Sequence, residues 1–106
     1  MKIEVGDKLL FREENKNEIK ECTLICKDKK DKYKWDKKIG ESYSIILKTD
    51  DKLYISEIDD YLVDEMFEKE KYIVLPIDLV YENDRYNDGY CLTLYVSDNK
   101  DILKNL

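Results

Sequence analysis

The sequence contains no histidine, no alanine and no glutamine. Without an imidazole, no serine or cysteine can be activated by a histidine, and no histidine can ligate a metal. The sequence also lacks a glycine-rich phosphate-binding loop. We therefore expect a protein that is not an enzyme, with no catalytic residues, no metal and no cofactor.

Proline and glycine are also scarce, with one and three residues in a chain of 106, which leaves little room for long loops. No apolar run reaches the roughly 18 residues that a membrane helix needs. The opening MKIEVGDK lacks the apolar stretch of a signal peptide. These features predict a single domain over residues 1–106, located in the cytoplasm.

Cysteine occurs three times, an odd number that suits reduced thiols better than a framework of disulfides. On a strand, the spacing of Cys22 and Cys26 would put them about 13 Å apart, too far to share one metal ion. The third, Cys91, is remote in sequence. We interpret the cysteines as small apolar side chains.

Charged residues, in contrast, make up 42% of the chain, and the net charge is −6. Residues 1–49 carry 13 basic and 10 acidic side chains, whereas residues 50–106 carry 6 and 15. The second half therefore creates an acidic field that repels nucleic acid and attracts basic partners.

Apolar residues alternate along most of the chain, as in Tyr43, Ile45 and Leu47, which predicts strands joined by tight turns. We predict an α+β fold of mostly antiparallel β structure. It is a strongly bent sheet or small barrel-like roll of six or seven strands, with one helix packed on it. The opening GDKLLF is similar to the start of SH3-like barrels.

The helix is predicted at about residues 57–69, because the period of the apolar residues changes there from two to that of a helix. Ser56 followed by Asp59 is typical of a capping box at the helix start.

An acidic stretch coincides with this helix: nine acidic and two basic residues lie between positions 50 and 70. The simple interpretation is a solvated helix face. The alternative is a docking surface for a basic protein, because acidic residues four apart cost helix stability and need another reason to be there. The predicted partner-binding residues are Asp59, Asp60, Tyr61, Asp64, Glu65 and Glu68.

In its short length, its acidic composition and its lack of catalytic motifs, the chain resembles immunity proteins against nuclease toxins and phage anti-defence inhibitors. That resemblance implies an inhibitor that occludes a basic, nucleic-acid-handling partner with its carboxylates. A nucleotide-sequestering oligomer, with a pocket between subunits, is a further alternative.

A second site is suggested by KDKKDKYKWDKK, residues 27–38, where seven lysines surround Tyr33 and the only tryptophan, Trp35. In an SH3-like barrel module that binds nucleic acid or a nucleotide, Lys32 and Lys34 would meet phosphate while Tyr33 and Trp35 stack on bases. The competing interpretation is a hairpin that turns both aromatic rings inward and its lysines to water. We favour the hairpin with a buried Trp35, a turn at residues 29–31 and a strand break at Gly40.

Overall fold

The computed structural model describes residues 2–58, 67–88 and 90–106. Seven strands and a C-terminal helix are present among them. They are β1 (Lys8–Glu13), β2 (Lys20–Lys34), β3 (Lys37–Lys48), β4 (Lys52–Ile58), β5 (Ile73–Glu82), β6 (Arg85–Tyr86), β7 (Cys91–Ser97) and α1 (Lys100–Lys104). Residues 67–69 form a short helical turn between β4 and β5.

Six of the strands close into a barrel in the order β4, β3, β2, β1, β7, β5, and β5 pairs back onto β4. Every pairing is antiparallel. The two-residue strand β6 lies outside the barrel against the end of β5. The predicted fold class, a small barrel-like α+β fold, is confirmed.

The barrel interior is filled by the residues that alternate inward along each strand. Leu9 and Phe11 of β1, and Leu94 and Val96 of β7, have this period of two and are buried. The rest of the buried apolar set includes Cys22, Leu24, Tyr43, Ile45, Leu47, Tyr54, Ile73, Leu75, Ile77 and Leu79.

The helix predicted at about 57–69 is only partly within the described residues. Glu57 and Ile58 lie at the end of β4, so the helix does not begin where the sequence suggested. Ser56 is buried in β4 and its hydroxyl donates to the carbonyl of Pro76 rather than capping a helix. Residues 59–66 lie outside the described residues, and residues 67–69 are helical.

A buried arginine fastens the C-terminal helix to the barrel. Arg12 of β1 is only 5% exposed. Its guanidinium donates to the carbonyl oxygens of Leu103 (3.1 Å), Lys16 (2.7 Å) and Leu106 (2.9 Å), and lies 4.9 Å from the centre of the Tyr95 ring. The helix itself is capped by Asn99, whose side chain accepts from the backbone of Asp101.

The turns of the barrel divide between two ends. The β3–β4 turn at Asp50 and Asp51 meets the β5–β6 turn, where the Asn83 backbone donates to the Asp51 carbonyl (2.7 Å). The tip of the β2–β3 hairpin lies at the other end of β3. Of the helices in the described ranges, none combines the length and apolar content required to cross a membrane.

Candidate functional site: a protruding basic arm

The β2–β3 hairpin continues well past the barrel. Within the described residues, β1 pairs with β2 as far as Thr23, and β4 pairs with β3 as far as Tyr43, whose partner across the hairpin is Lys29. Beyond that pair the two strands run on together to Lys34 and Lys37. We call residues 30–42 the arm, a two-stranded ribbon extending from one end of the barrel.

The arm ends in a tight turn formed by Trp35 and Asp36. Both residues have positive φ, 54° and 62°, the backbone conformation of the two-residue turn that suits the twist of antiparallel strands. Trp35 is 88% exposed at this tip, and Tyr33 and Ile39 are 61% and 54% exposed. The most apolar part of the arm therefore faces solvent.

One face of the arm is continuous with the barrel interior, and it carries a network of ion pairs. Glu41 accepts from Lys29 (2.8 Å) and Lys38 (3.2 Å), and Lys38 also contacts Asp31 (3.2 Å). Lys29 and then Lys38 lower the pKa of Glu41, while Asp31 and Glu41 raise the pKa of Lys38. Two of these pairs, Lys29–Glu41 and Lys38–Asp31, bridge the two strands on the inner face.

The outer face of the arm is strongly basic. Because neighbours two apart on a strand share a face, Lys30, Lys32 and Lys34 lie together there, about 6.6 Å apart, and Lys37 lies directly opposite Lys34. Among the described residues, Lys30, Lys34 and Lys37 form no ion pair. Gly40 opposes Lys32 without adding a side chain. The outer face thus presents four ammonium groups beside an exposed indole.

These positions correct several predictions. Trp35 is exposed rather than buried, because the hairpin reaches beyond the barrel and has no core to cover. The turn predicted at residues 29–31 and the break at Gly40 are both absent, since both segments belong to continuous strands. Tyr33 does lie on the inner face, opposite Lys38, but past the end of the core.

The predicted nucleic-acid residues Lys32, Tyr33, Lys34 and Trp35 are brought together within the arm. Lys30 and Lys37 extend the basic face and were missed by sequence reasoning. The signal that could have found Lys30 is its spacing of two from Lys32 and Lys34.

The acidic candidates are mostly not described. Asp59, Asp60, Tyr61, Asp64 and Glu65 lie outside the described residues, and only Glu68 is within them, exposed on the helical turn. Its neighbour Phe67 is buried against the barrel, 6.5 Å from the Tyr43 ring and 4.7 Å from the Lys27 ammonium nitrogen. Glu68 therefore sits near the base of the arm.

The three cysteines are separate free thiols: Cys22 is buried, Cys26 half-buried and Cys91 exposed. Burial raises the pKa of Cys22 to about 12, and it is the main cause of the raised pKa of Cys26. A hydrogen bond with Asp78 raises the pKa of Cys91. Within the described ranges, no three cysteine or acidic side chains converge on a point that could hold a metal ion.

Comparison with known proteins gave no match, whether against models of protein families, curated proteins or solved structures. Functional inference for this chain therefore depends on the geometry and charge of its own residues.

Proposed function

We propose that this protein binds single-stranded nucleic acid along the outer face of the arm. The observation that carries the proposal is the exposure of Trp35 at the tip of an ordered, lysine-lined ribbon. Exposing an indole to water forgoes the free energy of burying it, about 2–3 kcal/mol for a large apolar side chain. Stacking on an unpaired base, which is worth about 1–3 kcal/mol, would recover that loss.

The lysines of the outer face would supply the contacts to phosphate. Lys30, Lys32, Lys34 and Lys37 follow the arm towards Trp35, so a strand lying along them would bring a base over the indole. The inner-face lysines, Lys29 and Lys38, are engaged by carboxylates and serve to stiffen the arm.

The acidic barrel opposes such binding, but the arm reduces its effect. From Lys30 to Lys34 the ribbon spans about 13 Å, more than the roughly 8 Å over which physiological salt screens exposed charges. A strand bound near the tip is therefore largely shielded from the carboxylates of the barrel.

The test is a titration with a labelled single-stranded oligonucleotide, followed by anisotropy at low salt, with the intrinsic fluorescence of Trp35 as a second signal. We expect quenching of Trp35 and a log–log salt slope of about −2, from Lys30, Lys34 and Lys37 at roughly 0.7 each. Trp35→Ala should weaken binding by about 1–3 kcal/mol, or roughly 5- to 150-fold.

Two matched controls separate the arm from general effects of charge and aromatic content. Lys34→Glu/Lys37→Glu should abolish binding, whereas Lys100→Glu/Lys104→Glu, on α1, should leave it nearly unchanged. Tyr86→Ala, an exposed aromatic residue of β6, is the control for Trp35→Ala. No quenching at low salt, or equal losses in the two lysine pairs, would sink the proposal.

A second candidate function is the capture of a basic, nucleic-acid-handling protein by the acidic stretch, with inhibition by occlusion. The observation that favours it is that Glu57, Glu68 and Glu70, the described acidic residues flanking positions 59–66, are all exposed. Phe67 is buried in the barrel core, so the exposed carboxylates of Glu68 and Glu70, which follow it, would be presented beside the barrel.

For this candidate, Asp60→Lys/Asp64→Lys/Glu68→Lys should release a basic partner recovered from the native host. The triple change Asp84→Lys/Asp98→Lys/Asp101→Lys, on other surfaces, is the control with the same change in net charge. A complex that withstands about 0.5 M salt, where exposed charges are screened, would contradict recognition by carboxylates.

A further inference from the structure

The end of the barrel opposite the arm is open, and polar side chains surround the opening, which we call the mouth. A cavity of about 310 Å³ lies there, lined by Glu13, Lys16, Lys52, Glu82, Asn87 and Tyr90. These residues come from β1, β4, β5 and two loops, and the barrel brings them together. Barrel mouths are common sites for small ligands, and this volume is at the lower end of the usual range.

Two buried polar groups at the mouth have no hydrogen-bond partner among the described residues: the hydroxyl of Tyr54 and the side-chain nitrogen of Asn87. Tyr54 is 0% exposed. Asn87 is held in place through its backbone, which donates to the carbonyl of Val80 (2.7 Å). An unsatisfied buried group costs about 1–3 kcal/mol, and native structures contain few of them, so two at one opening point to an absent partner.

Tyr54 adjoins residues that line the cavity. It shares a strand face with Lys52, two residues earlier, and it is paired across the sheet with Leu79, which also lines the cavity. Burial raises the pKa of Tyr54, and the carboxylates of Glu13 and Glu82 raise it further, since both lie close enough to oppose a phenolate. The hydroxyl therefore lies near Glu13 and Glu82, two of the residues that line the mouth.

The charges around the mouth are largely balanced. Lys16 forms an ion pair with Glu13 (3.1 Å), and Lys52 is the direct cross-strand partner of Glu82. A strongly charged ligand would have to displace one of these arrangements. A neutral ligand that both donates and accepts hydrogen bonds would leave these arrangements intact. Hydroxyl groups both donate and accept hydrogen bonds. The Tyr90 ring, 51% exposed, offers a flat apolar wall.

We infer that the mouth binds a small neutral sugar, one or two rings in size. Its hydroxyls would accept from Asn87 and Tyr54 and donate to the carboxylates of Glu13 and Glu82, and one ring face would pack on Tyr90. This site is distinct from the arm and does not depend on nucleic-acid binding.

The test is saturation-transfer NMR of the intact protein with a panel of neutral mono- and disaccharides, with charged sugar phosphates for comparison. We expect saturation transfer from the protein to at least one neutral sugar and, in protein-observed spectra, chemical-shift changes at Asn87 and Tyr90 but not at Trp35. Tyr54→Phe and Asn87→Leu should each weaken that binding roughly ten-fold. The exposed Tyr86→Phe should leave it unchanged.

Denaturant unfolding of Tyr54→Phe without ligand tests the same site independently of sugar binding. Because the Tyr54 hydroxyl has no partner in the described residues, Tyr54→Phe should unfold at the same or a higher denaturant concentration than the parent. A lower midpoint would mean that the hydroxyl is already satisfied in the free protein and would overturn the inference. The inference would also be overturned if no neutral sugar received saturation from the protein at millimolar concentration.

Discussion

Replacement of Arg12 by lysine tests whether one side chain joins the C-terminal helix to the barrel. The guanidinium donates to the carbonyls of Leu103, Lys16 and Leu106, and more weakly, at 3.4 Å, to those of Glu13 and Glu14. A lysine keeps the charge, but a single ammonium group cannot reach carbonyls on both sides of a planar fork. Arg12→Lys therefore leaves buried acceptors without donors.

The magnitude follows from the hydrogen bonds that are lost. Bonds to a charged donor contribute about 1.5–3 kcal/mol each, and a lysine retains only part of the set. We expect Arg12→Lys to lower the free energy of unfolding by about 2–3 kcal/mol, a large share of the 5–15 kcal/mol typical of a domain. Arg12→Ala, which also removes the contact with Tyr95, should cost about 3–5 kcal/mol.

The assay is urea unfolding followed by circular dichroism, because Trp35 at the arm tip does not report on the core. With a slope of about 1.5 kcal/mol per molar urea, the midpoint should fall by about 1–2 M. Arg85→Lys, on the outlying strand β6, is the matched control and should shift it little. Hydrogen exchange should show the amides of α1 losing protection first. An unchanged midpoint, or an α1 that stays protected while the barrel weakens, would refute the reasoning.

Three further predictions concern thiols, the turn and pH. A thiol reagent at pH 8 should modify the exposed Cys91 first, although slowly because the pKa of its thiol is raised, and should modify the buried Cys22 only on unfolding. Equal rates of modification of Cys91 and Cys22 would contradict the burial of Cys22. Replacing Trp35–Asp36 by Asn-Gly, the pair best suited to positive φ, should preserve or increase the order of the arm while removing base stacking. NMR of the arm amides measures the order of the arm, and oligonucleotide anisotropy measures the loss of stacking. The pKa of Glu41 is lowered in the folded arm, so its stabilising effect is complete above its ordinary pKa of 4.5 and is lost as the pH falls through the folded value. The protection factors of the arm amides, corrected for the intrinsic exchange rate, should fall in that acidic window, and Glu41→Gln should remove this pH dependence.

The barrel could be predicted from the sequence because a strand with one buried face leaves a period of two. Ile73, Leu75 and Ile77 show that pattern and are buried. The pattern misleads where a strand bulges or has not yet begun. Tyr81 continues the pattern but is exposed, because the register shift between β4 and β5 turns its side chain outward, and the exposed Tyr90 precedes β7. Tyr54 shows the reverse: its neighbours two residues away are Lys52 and Ser56, so alternation does not mark it as inward, yet it is fully buried beside a register shift between β4 and β5.

The arm was harder to predict because hydrophobicity carries no information about a ribbon that is solvated on both faces. Its strands are defined by backbone hydrogen bonds and by ion pairs such as Lys29–Glu41, neither of which leaves an apolar period. Its turn uses Trp35–Asp36, which lacks the glycine or asparagine that usually marks positive φ. The mouth left no local signal at all, because its residues are joined only by the closed barrel.

Closure of the barrel also has a consequence for synthesis of the chain. Strands β1 to β4 pair with their neighbours in sequence, but β1 completes its pairing only with β7, Leu10 lying opposite Ser97. On a ribosome, β1 must wait on the order of ten seconds for that strand, at usual elongation rates. Its second edge is unpaired for that interval, and Lys8, Arg12 and Glu13 place charges along it, a pattern that discourages pairing with other nascent chains. Arg12, which joins the C-terminal helix to the barrel in the folded protein, thus also discourages pairing at the edge of β1 before β7 is made.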